Sequence, residues 1–386
     1  MKFRKLGKTG RQVSEIGLGC EHLDGKPYEQ VRDTIDAALE QGVNILDVFM
    51  PGCEIREHIA KALGSRRGSV MIQGHLGSTD INHQYDISRD LPTVQKYFED
   101  LLRIFGGYID FGMMFFIDTE KDYHDVFDTG FAKYAEHLKK QGDIGHIGFS
   151  SHNPETAAKV IATGLPELML FSINPVFDML PPDKYIIEQY HEGIDSQMLS
   201  GPEPGRAELY KLCRQKDVGI TVMKTLCAGK LLSAELTPLA KPMSAPQCIH
   251  YALSRPSVAS VLLGCKTPAE VRDSLRYYDA DESALDYSGI FASLRDRSTG
   301  CCVYCSHCQP CPADIDIAAV NRLLDVARLD VANIPASVRT GYAELSRGGS
   351  DCIGCGNCES RCPFGVPVIE NMTEAEELLR QSGIES

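Results

Sequence analysis

Short apolar runs alternate with longer amphipathic segments along the first three quarters of the chain. The apolar runs occupy residues 14–20, 42–48, 69–74, 108–116, 144–150, 168–174, 218–224 and 257–264. Most of them lack a regular polar–apolar alternation, which predicts strands that are buried on both faces. The segments between them place apolar residues at i, i+3, i+4 and i+7, as in residues 28–42, which predicts helices packed against a sheet.

Eight such strand–helix units predict a parallel sheet closed as a (β/α)8 TIM barrel over residues 1–280. A doubly wound open sheet is the competing fold, but it favours a glycine-rich phosphate loop after the first strand, and residues 17–25 match that loop poorly. The opening residues 1–17 predict a hairpin. Thr267 and Pro268 predict the start of a helix, as N-cap and first helical residue.

A second, smaller domain is expected after the barrel. Residues 281–300 form a polar connection, residues 301–372 a mainly helical ferredoxin-like domain, and residues 373–386 a charged tail that begins as a terminal helix. Nine of the 15 cysteines lie between residues 301 and 362. Scattered cysteines usually fill apolar cores, whereas a cluster of nine requires a different explanation.

The clustered cysteines form two C-x2-C-x2-C runs, each followed by a further cysteine and a proline. In two-cluster ferredoxins the cysteine before the proline ligates the other cluster. The spacing therefore predicts two 4Fe–4S clusters. One is expected on Cys302, Cys305, Cys308 and Cys362, and the other on Cys352, Cys355, Cys358 and Cys311. A pair of structural zinc sites is the alternative, and Cys301 is a surplus thiol.

The charge and composition narrow the range of partners. The formal net charge is −14, which argues against nucleic acid, because its binders carry clustered lysine and arginine. Residues 111–117 form the longest dense apolar run, too short to span a membrane, and the first ten residues lack the apolar core of a signal peptide. A cytoplasmic protein with a small-molecule substrate is expected.

With both domains placed, the chain resembles aldo/keto reductases that carry a C-terminal ferredoxin-type domain. The resemblance rests on RKLGKTGRQVSEIGLG (4–19), GVNILDV (42–48), GHIGFSSHNPE (145–155), VGITVMKTLCAGKLL (218–232), LLGCKTPAEVRDSL (262–275) and CVYCSHCQPCP (302–312). It implies hydride transfer from NADPH to a carbonyl, with an aspartate, a proton-donating tyrosine, a lysine and a histidine as catalytic residues.

Position by position, the resemblance keeps only the aspartate, as Asp47. The tyrosine position falls on Gly52, or on a neighbour in the loop, the lysine position on His75 and the histidine position on Phe115. Without an activated proton donor, the ordinary carbonyl reductase mechanism is not expected. We predict that His75 donates the proton and that Asp47 orients it. His22 and His152 are further candidates for the same pocket.

The resemblance also implies a cofactor pocket. Ser150 and Ser151 match positions that hold a nicotinamide carboxamide, Asn174 and Lys224 end later strands, and Lys266 matches a cation at the 2′-phosphate. The same end of a barrel can hold the phosphate of a flavin such as FMN. A flavin would convert electron pairs into the single electrons that iron–sulfur clusters carry.

Two classes of function remain open. The first is an iron–sulfur oxidoreductase of an anaerobic or microaerobic organism, reducing or oxidising a small substrate with electrons from NADP(H) or a flavin. The second is a catalytically degenerate barrel that serves as an electron carrier for a redox partner such as a ferredoxin or flavoprotein. A thiol-based redox role for Cys53 is a third hypothesis.

Overall fold

The structure, a computed structural model, describes residues 1–81, 84–180, 199, 204–239, 241–287, 290, 300, 302, 304, 306–329, 331, 334–362 and 364–380. The chain divides into two compact units. The first contains most of residues 1–285 and the second most of residues 286–386.

The described residues form twelve strands, and eight of them, which are parallel, close into a barrel in the first unit. The strands in chain order are β1 Phe3–Lys5, β2 Gln12–Ser14, β3 Ile16–Gly19, β4 Ile45–Val48, β5 Met71–Leu76, β6 Ser78–Ile81, β7 Gln84–Ile87, β8 Ile109–Met114, β9 Ile144–Ser151, β10 Leu168–Ser172, β11 Gly219–Met223 and β12 Val258–Leu263. Strands β3, β4, β5, β8, β9, β10, β11 and β12 follow one another around the barrel, and β12 pairs with β3 to close it.

Helices connect consecutive barrel strands and form the described part of the second unit. They are α1 Tyr28–Glu40, α2 Cys53–Leu63, α3 Leu91–Ile104, α4 Glu120–Phe127, α5 Phe131–Gln141, α6 Pro154–Ala162, α7 Pro204–Gln215, α8 Ala245–Leu253, α9 Pro268–Leu275, α10 Glu282–Leu285, α11 Ile317–Leu329, α12 Ala336–Ala343, α13 Asn357–Arg361 and α14 Val368–Leu379. Side chains cap several of them, such as Thr267, whose hydroxyl accepts from the Glu270 amide. No helix in the described part of the chain has the length and apolar character needed to cross a membrane.

The barrel strands are apolar because they are covered on both faces. Every residue of β4, β8, β10 and β12 is buried. Leu6 and Val13, from the opening segment, pack into the same core as Ile45 and Phe111. Burial of this kind is the main stabilising term in folding, and it explains why continuous apolar runs, rather than alternating ones, mark these strands.

The predicted closed barrel and opening hairpin are confirmed. All eight predicted runs overlap a barrel strand, β1 pairs with β2 antiparallel, and the competing open sheet is wrong because the sheet closes. A second antiparallel hairpin, β6–β7, was not predicted. It follows β5 directly and therefore starts at the C-terminal end of the barrel strands.

The described part of the second unit is built around α11 and α14. Val320 and Leu324 of α11 are buried, as are Met372 and Ala375 of α14. The amide of Asn371 donates to Asn321 Oδ1 at 2.6 Å in this buried contact. Helix α14 spans the predicted boundary at residue 372, so the start of the predicted tail is packed rather than free.

Glu167 joins the ends of β9 and β10 through three hydrogen bonds. Its carboxylate accepts from Lys139 Nζ at 2.5 Å, from the Ile147 amide at 3.2 Å, and contacts His146 Nδ1 at 2.9 Å. Burial alone would raise the pKa of Glu167, but these partners outweigh burial and lower the pKa to about 2. The ionised form therefore stabilises the fold above the ordinary pKa of a glutamate.

Glu167→Gln is expected to remove this contribution. Because the pKa is lowered in the folded state, the stabilisation is complete above about pH 4.5 and is lost as the pH falls towards 2. Urea denaturation at pH 7 should show a loss of roughly 2 kcal/mol, shrinking as the pH is lowered. Glu136→Gln, at an exposed position of α5, serves as the control and should change stability by less than about 0.5 kcal/mol. An equal loss at pH 7 and pH 3 would contradict this account.

Candidate functional site

Asp47 and His75 meet at the C-terminal end of the barrel. Asp47 lies near the end of β4 and His75 near the end of β5, and both are buried. The Nε2 atom of His75 lies 2.8 Å from Asp47 Oδ1. A carboxylate accepts hydrogen bonds, so Nε2 is the donor to Asp47, and in a neutral ring the other nitrogen, Nδ1, is an acceptor. Nδ1 is buried and has no hydrogen-bond partner among the residues that the structure describes.

A buried chain of polar side chains fixes the Asp47 carboxylate. Gln73, paired with Asp47 in the strand register, donates its amide to Asp47 Oδ1 at 2.7 Å. Thr221, on β11 across the barrel, donates its hydroxyl to Gln73 Oε1 at 3.0 Å. Both partners are fully buried. The carboxylate therefore has one orientation, and it presents His75 in one orientation as well.

Aromatic side chains surround the His75 ring. Phe115 and Phe49 contact it edge-on, with ring centroids 5.3 and 6.1 Å away. Tyr85, from the unpredicted hairpin, packs against Phe49 at 5.2 Å and is 52% exposed. Phe116 packs against Phe115 at 5.8 Å. We call these four residues, Phe49, Tyr85, Phe115 and Phe116, the aromatic rim.

The loop between β4 and α2 contains the position where the resemblance places a tyrosine. Gly52 stands there and forms the N-cap of α2. Arg56, fully buried in α2, holds the loop by donating from Nε to the Met50 carbonyl at 2.7 Å and from Nη1 to the Tyr97 carbonyl at 2.9 Å. Burial lowers the pKa of Arg56 to about 10. The loop thus has a defined shape without a side chain at residue 52.

The predicted cofactor residues gather at the same end of the barrel, but their side chains bond to the protein. Ser150 Oγ accepts from the Phe116 amide at 2.8 Å, and Ser151 Oγ donates to Asp118 Oδ1 at 3.0 Å. Asn174 donates its amide to the Lys224 carbonyl at 2.9 Å. These hydrogen bonds tie neighbouring strand ends together.

The two predicted cations differ in environment. Lys224 follows β11 with a left-handed backbone (φ 59°), and burial lowers its pKa. Lys266 is exposed and directly precedes Thr267, the N-cap of α9. The Glu270 carboxylate accepts from the Lys266 amide at 2.6 Å, so an anion at this helix end would also meet a negative charge.

Asp118 is a site residue that the sequence did not single out. It follows β8, is 1% exposed, and accepts from the His152 amide at 2.6 Å and from Ser151. Its Oδ2 atom lies 2.8 Å from His152 Nδ1. Burial alone would raise the pKa of Asp118, but His152 and Ser151 outweigh burial and lower it. Its position two residues beyond the apolar run 108–116 was the available signal.

In the second unit, clustered cysteines line one cleft. The cleft measures about 360 Å³, including the solvent open to it. Its cysteines are Cys308, Cys311, Cys352, Cys355 and Cys358, among apolar neighbours that include Ile353 and Met372. Cys302 and Cys362 are partly exposed, and Cys301 and Cys305 lie outside the described residues. No three described histidine, cysteine or carboxylate side chains are arranged to hold a single metal ion.

The barrel sequence matches the profile of the aldo/keto reductase family over residues 15–247. The chain belongs to the aldo/keto reductase family. This aldo/keto reductase is 25% identical over 305 residues to the uncharacterized oxidoreductase YqkF of Bacillus subtilis, a match that covers 72% of this chain and 92% of YqkF. The predicted family and oxidoreductase class are therefore confirmed.

Solved structures show the same fold. The holo form of the aldo-keto reductase AKR11C1 from Bacillus halodurans superposes with a TM-score of 0.57 at 21% identity, covering 73% of this aldo/keto reductase and 92% of AKR11C1. The apo form of AKR11C1 gives a TM-score of 0.52 at 20% identity, covering 74% and 94%. At these identities the likeness establishes the fold alone.

Asp47→Ala is expected to destabilise this aldo/keto reductase. It leaves the Gln73 amide and His75 Nε2 without their acceptor in the barrel interior. Each unpaired buried donor costs about 1–3 kcal/mol, so urea denaturation should show a loss of roughly 3 kcal/mol. Asp47→Asn, which retains one oxygen acceptor, should lose less.

The matched control for Asp47→Ala is Asp36→Ala. Asp36 pairs with Arg66 at 2.5 Å, with about a third of each side chain or more exposed, and exposed pairs contribute less than about 1 kcal/mol. Equal losses for the two alanine variants would show that the buried hydrogen bonds of Asp47 do not stabilise the barrel.

Proposed function

We propose that this protein is an iron–sulfur oxidoreductase that reduces or oxidises a small organic substrate at the C-terminal end of its barrel. Electrons would come from NADP(H) or a flavin, and two 4Fe–4S clusters would relay them singly. The observation that carries the proposal is the Asp47–His75 pair, because it leaves His75 Nδ1 buried and without a partner in the described part of the chain. An unpaired buried acceptor is costly, and a proton shared with a substrate oxygen would satisfy it.

In this proposal Asp47 and His75 are the proton-transfer pair. The carboxylate holds Nε2 and stabilises the ring when Nδ1 takes up a proton, which Nδ1 then passes to the substrate. A histidine donor is consistent with Gly52, since no hydroxyl stands at the residue where the family resemblance places its tyrosine. The rim supplies flat apolar surfaces for an organic substrate.

The cysteine cleft supports the iron–sulfur part of the proposal. All four members of one proposed ligand set, Cys311, Cys352, Cys355 and Cys358, line it together with Cys308. Thiolates in an apolar surrounding are the donors that iron–sulfur clusters take. When bound, such a group supplies one-electron transfer. Cys302, Cys305, Cys308 and Cys362 are the proposed ligands of the second cluster, in a domain proposed to span residues 301–372.

The nicotinamide and flavin alternatives share one candidate anion site. Lys266, exposed before α9, would meet the 2′-phosphate of NADPH or the phosphate of FMN. Lys224, Asn174 and the two serines would surround the ring. A flavin has the advantage that it exchanges electrons both in pairs and singly, which links nicotinamide to iron–sulfur chemistry.

The internal hydrogen bonds of the proposed cofactor residues favour a second candidate function. Ser150, Ser151 and Asn174 already bond to the protein's own backbone or to Asp118. A barrel that binds no cofactor would leave the second unit as an electron carrier for a ferredoxin or flavoprotein in the reducing cytoplasm. Cofactor binding therefore separates the two candidates.

The proposed clusters predict the iron content of the chain. Protein purified without oxygen should contain about eight irons per chain, with broad visible absorption that dithionite bleaches. Cys355→Ser removes one ligand from the cleft and should lower the iron content by roughly half. Cys53→Ser, an exposed cysteine of the barrel, is the control and should keep the full content. Stoichiometric zinc with no visible absorption would overturn the iron–sulfur proposal.

Lys266→Ala tests the proposed phosphate contact. Loss of a cation from a phosphate removes roughly 1.5 kcal/mol or more, a tenfold change in Kd. In fluorescence titrations NADPH should bind roughly tenfold more weakly to the variant, while NADH, without the 2′-phosphate, should bind equally to both proteins. Lys140→Ala, an exposed lysine of α5, should change neither. Weakened FMN binding without NADPH binding would select the flavin, and binding of neither would favour the electron carrier.

A further inference from the structure

Exposed apolar residues surround the opening of the cysteine cleft in the second unit. Ile353 is 67% exposed, the largest exposed fraction among the large apolar side chains of the described residues. Pro312 and Cys355 are exposed as well, and Ile369 is partly exposed. All four line the cleft, and we call them the apolar mouth. Single exposed apolar residues are ordinary on a protein surface, whereas a group of them around one cleft is typical of an interaction site.

The chain around the cleft is acidic. Every residue that lines the cleft falls in one of three segments, residues 308–317, 351–360 and 366–372. These segments contain five carboxylates and no lysine or arginine. Each carboxylate is next in sequence to a residue that lines the cleft, and the five are Asp314, Asp316, Asp351, Glu359 and Glu370.

The two nearest arginines along the chain offset only part of this charge. Arg347 pairs with Asp351 at 3.1 Å, and Arg361 donates to the Pro310 carbonyl at 3.1 Å. Residues 286–386 contain no lysine. The surroundings of the apolar mouth therefore carry a net negative charge, which favours a partner with a positive surface.

The loop that carries Cys355 is open on its outer side. Gly354 and Gly356 flank this cysteine with left-handed backbones, at φ of 65° and 74°. Apart from chain neighbours, a Cβ atom built at either glycine would meet no atom of the described residues within 4 Å. Glycine lets another surface approach the backbone closely. A protein that docks here therefore comes close to a proposed cluster ligand, and electron transfer falls steeply with distance.

We propose that the apolar mouth is the docking site of a soluble electron-transfer protein whose cofactor edge is surrounded by lysines and arginines. The inference rests on the proposed iron–sulfur function and names the class of its redox partner. Ile353 enters an apolar recess beside the partner's cofactor, and the five carboxylates face the partner's cations. Electron-transfer complexes bury little surface, so one protruding side chain inside a ring of charge is enough to orient them. A carrier with an acidic surface is repelled at the same place.

One electron crosses this contact in each encounter. The reduced second unit loses the electron and is oxidised, and the partner's cofactor gains it and is reduced. No proton moves, and no bond forms or breaks. A partner of lower potential sends the electron in the opposite direction through the same contact.

Electron transfer to cytochrome c, a basic protein with lysines around its haem edge, tests the proposal. The full chain, purified and reduced without oxygen, is mixed with ferric cytochrome c, and the ferrous haem is followed by its absorbance. The second-order rate constant should fall by about tenfold between roughly 20 and 200 mM NaCl, because salt screens the attraction. Plant plastocyanin, an acidic copper protein, should react slowly at low salt and faster as salt is added.

Ile353→Ser removes the apolar anchor. It should lower the rate constant with cytochrome c by about tenfold, and Ile353→Leu should retain the rate. Val326→Ser is the matched control, because Val326 is exposed on α11 and does not line the cleft. It should change neither the rate nor the iron content.

The carboxylates are tested by a double variant, Asp314→Asn with Glu370→Gln, at two exposed positions. It should lower the rate constant at low salt and make the salt dependence shallower, since fewer charges attract the partner. Glu344→Gln with Glu377→Gln removes the same charge from exposed positions outside the three segments, and it should leave both quantities unchanged.

The result separates this inference from the proposed function. A chain that holds its full iron but shows no salt dependence, or equal rates for Ile353→Ser and Val326→Ser, would overturn the docking site alone. A chain without iron would overturn the iron–sulfur function, and cross-linking would still test the docking surface.

Cross-linking with a carbodiimide requires no electron transfer, because the reagent joins a carboxylate to a lysine amine as an amide. Mass spectrometry of the mixture with ferric cytochrome c should find Asp314 or Glu370 joined to a cytochrome c lysine. The yield should fall with Ile353→Ser and in about 0.5 M NaCl, where charges are screened. Links at Glu344 or Glu377 alone, or a yield that neither change lowers, would contradict the proposed surface.

Discussion

The Asp47 carboxylate lies inside a ring of apolar strands, where its hydrogen-bond donors must come from the protein. The arrangement of side chains at the C-terminal end of the barrel follows from which residues supply those donors. A buried carboxylate must be hydrogen-bonded. Here the donors come from Gln73 on the neighbouring strand and from His75 two residues later. Thr221 extends the chain across the barrel. The hydrogen bonds that the buried carboxylate requires therefore also fix the orientation of the His75 ring.

The same solution occurs a second time around the barrel. Asp118 accepts from the backbone and the ring of His152 and from Ser151, so it joins the ends of β8 and β9. Residues that a family resemblance assigns to a nicotinamide are, in this chain, also the residues that hold these strand ends together. The proposed chemistry of the site and the cohesion of the barrel therefore depend on overlapping sets of side chains.

Sequence patterns predicted the barrel well because a strand buried on both faces has a composition that shows locally. They also placed Asp47, near the end of the run 42–48, and His75, directly after the run 69–74. They did not predict Gln73 or Thr221, whose contact joins residues 148 positions apart. Hairpin β6–β7 was missed because its four-residue strands mix polar and apolar residues. A sequence pattern shows the type of each residue, but it does not show which distant residues lie close together in the fold.

Arg56 has a consequence for how such a loop can change over evolution. Its guanidinium holds the Met50 carbonyl from within helix α2, so the loop path does not depend on a side chain at residue 52. Among the described residues, a Cβ atom at Gly52 would meet only Ile55 Cγ2, at an ordinary 3.7 Å. The shape of the loop backbone is therefore independent of which residue stands at position 52. Such a loop can lose or regain a reactive side chain by single substitutions while the surrounding scaffold stays intact.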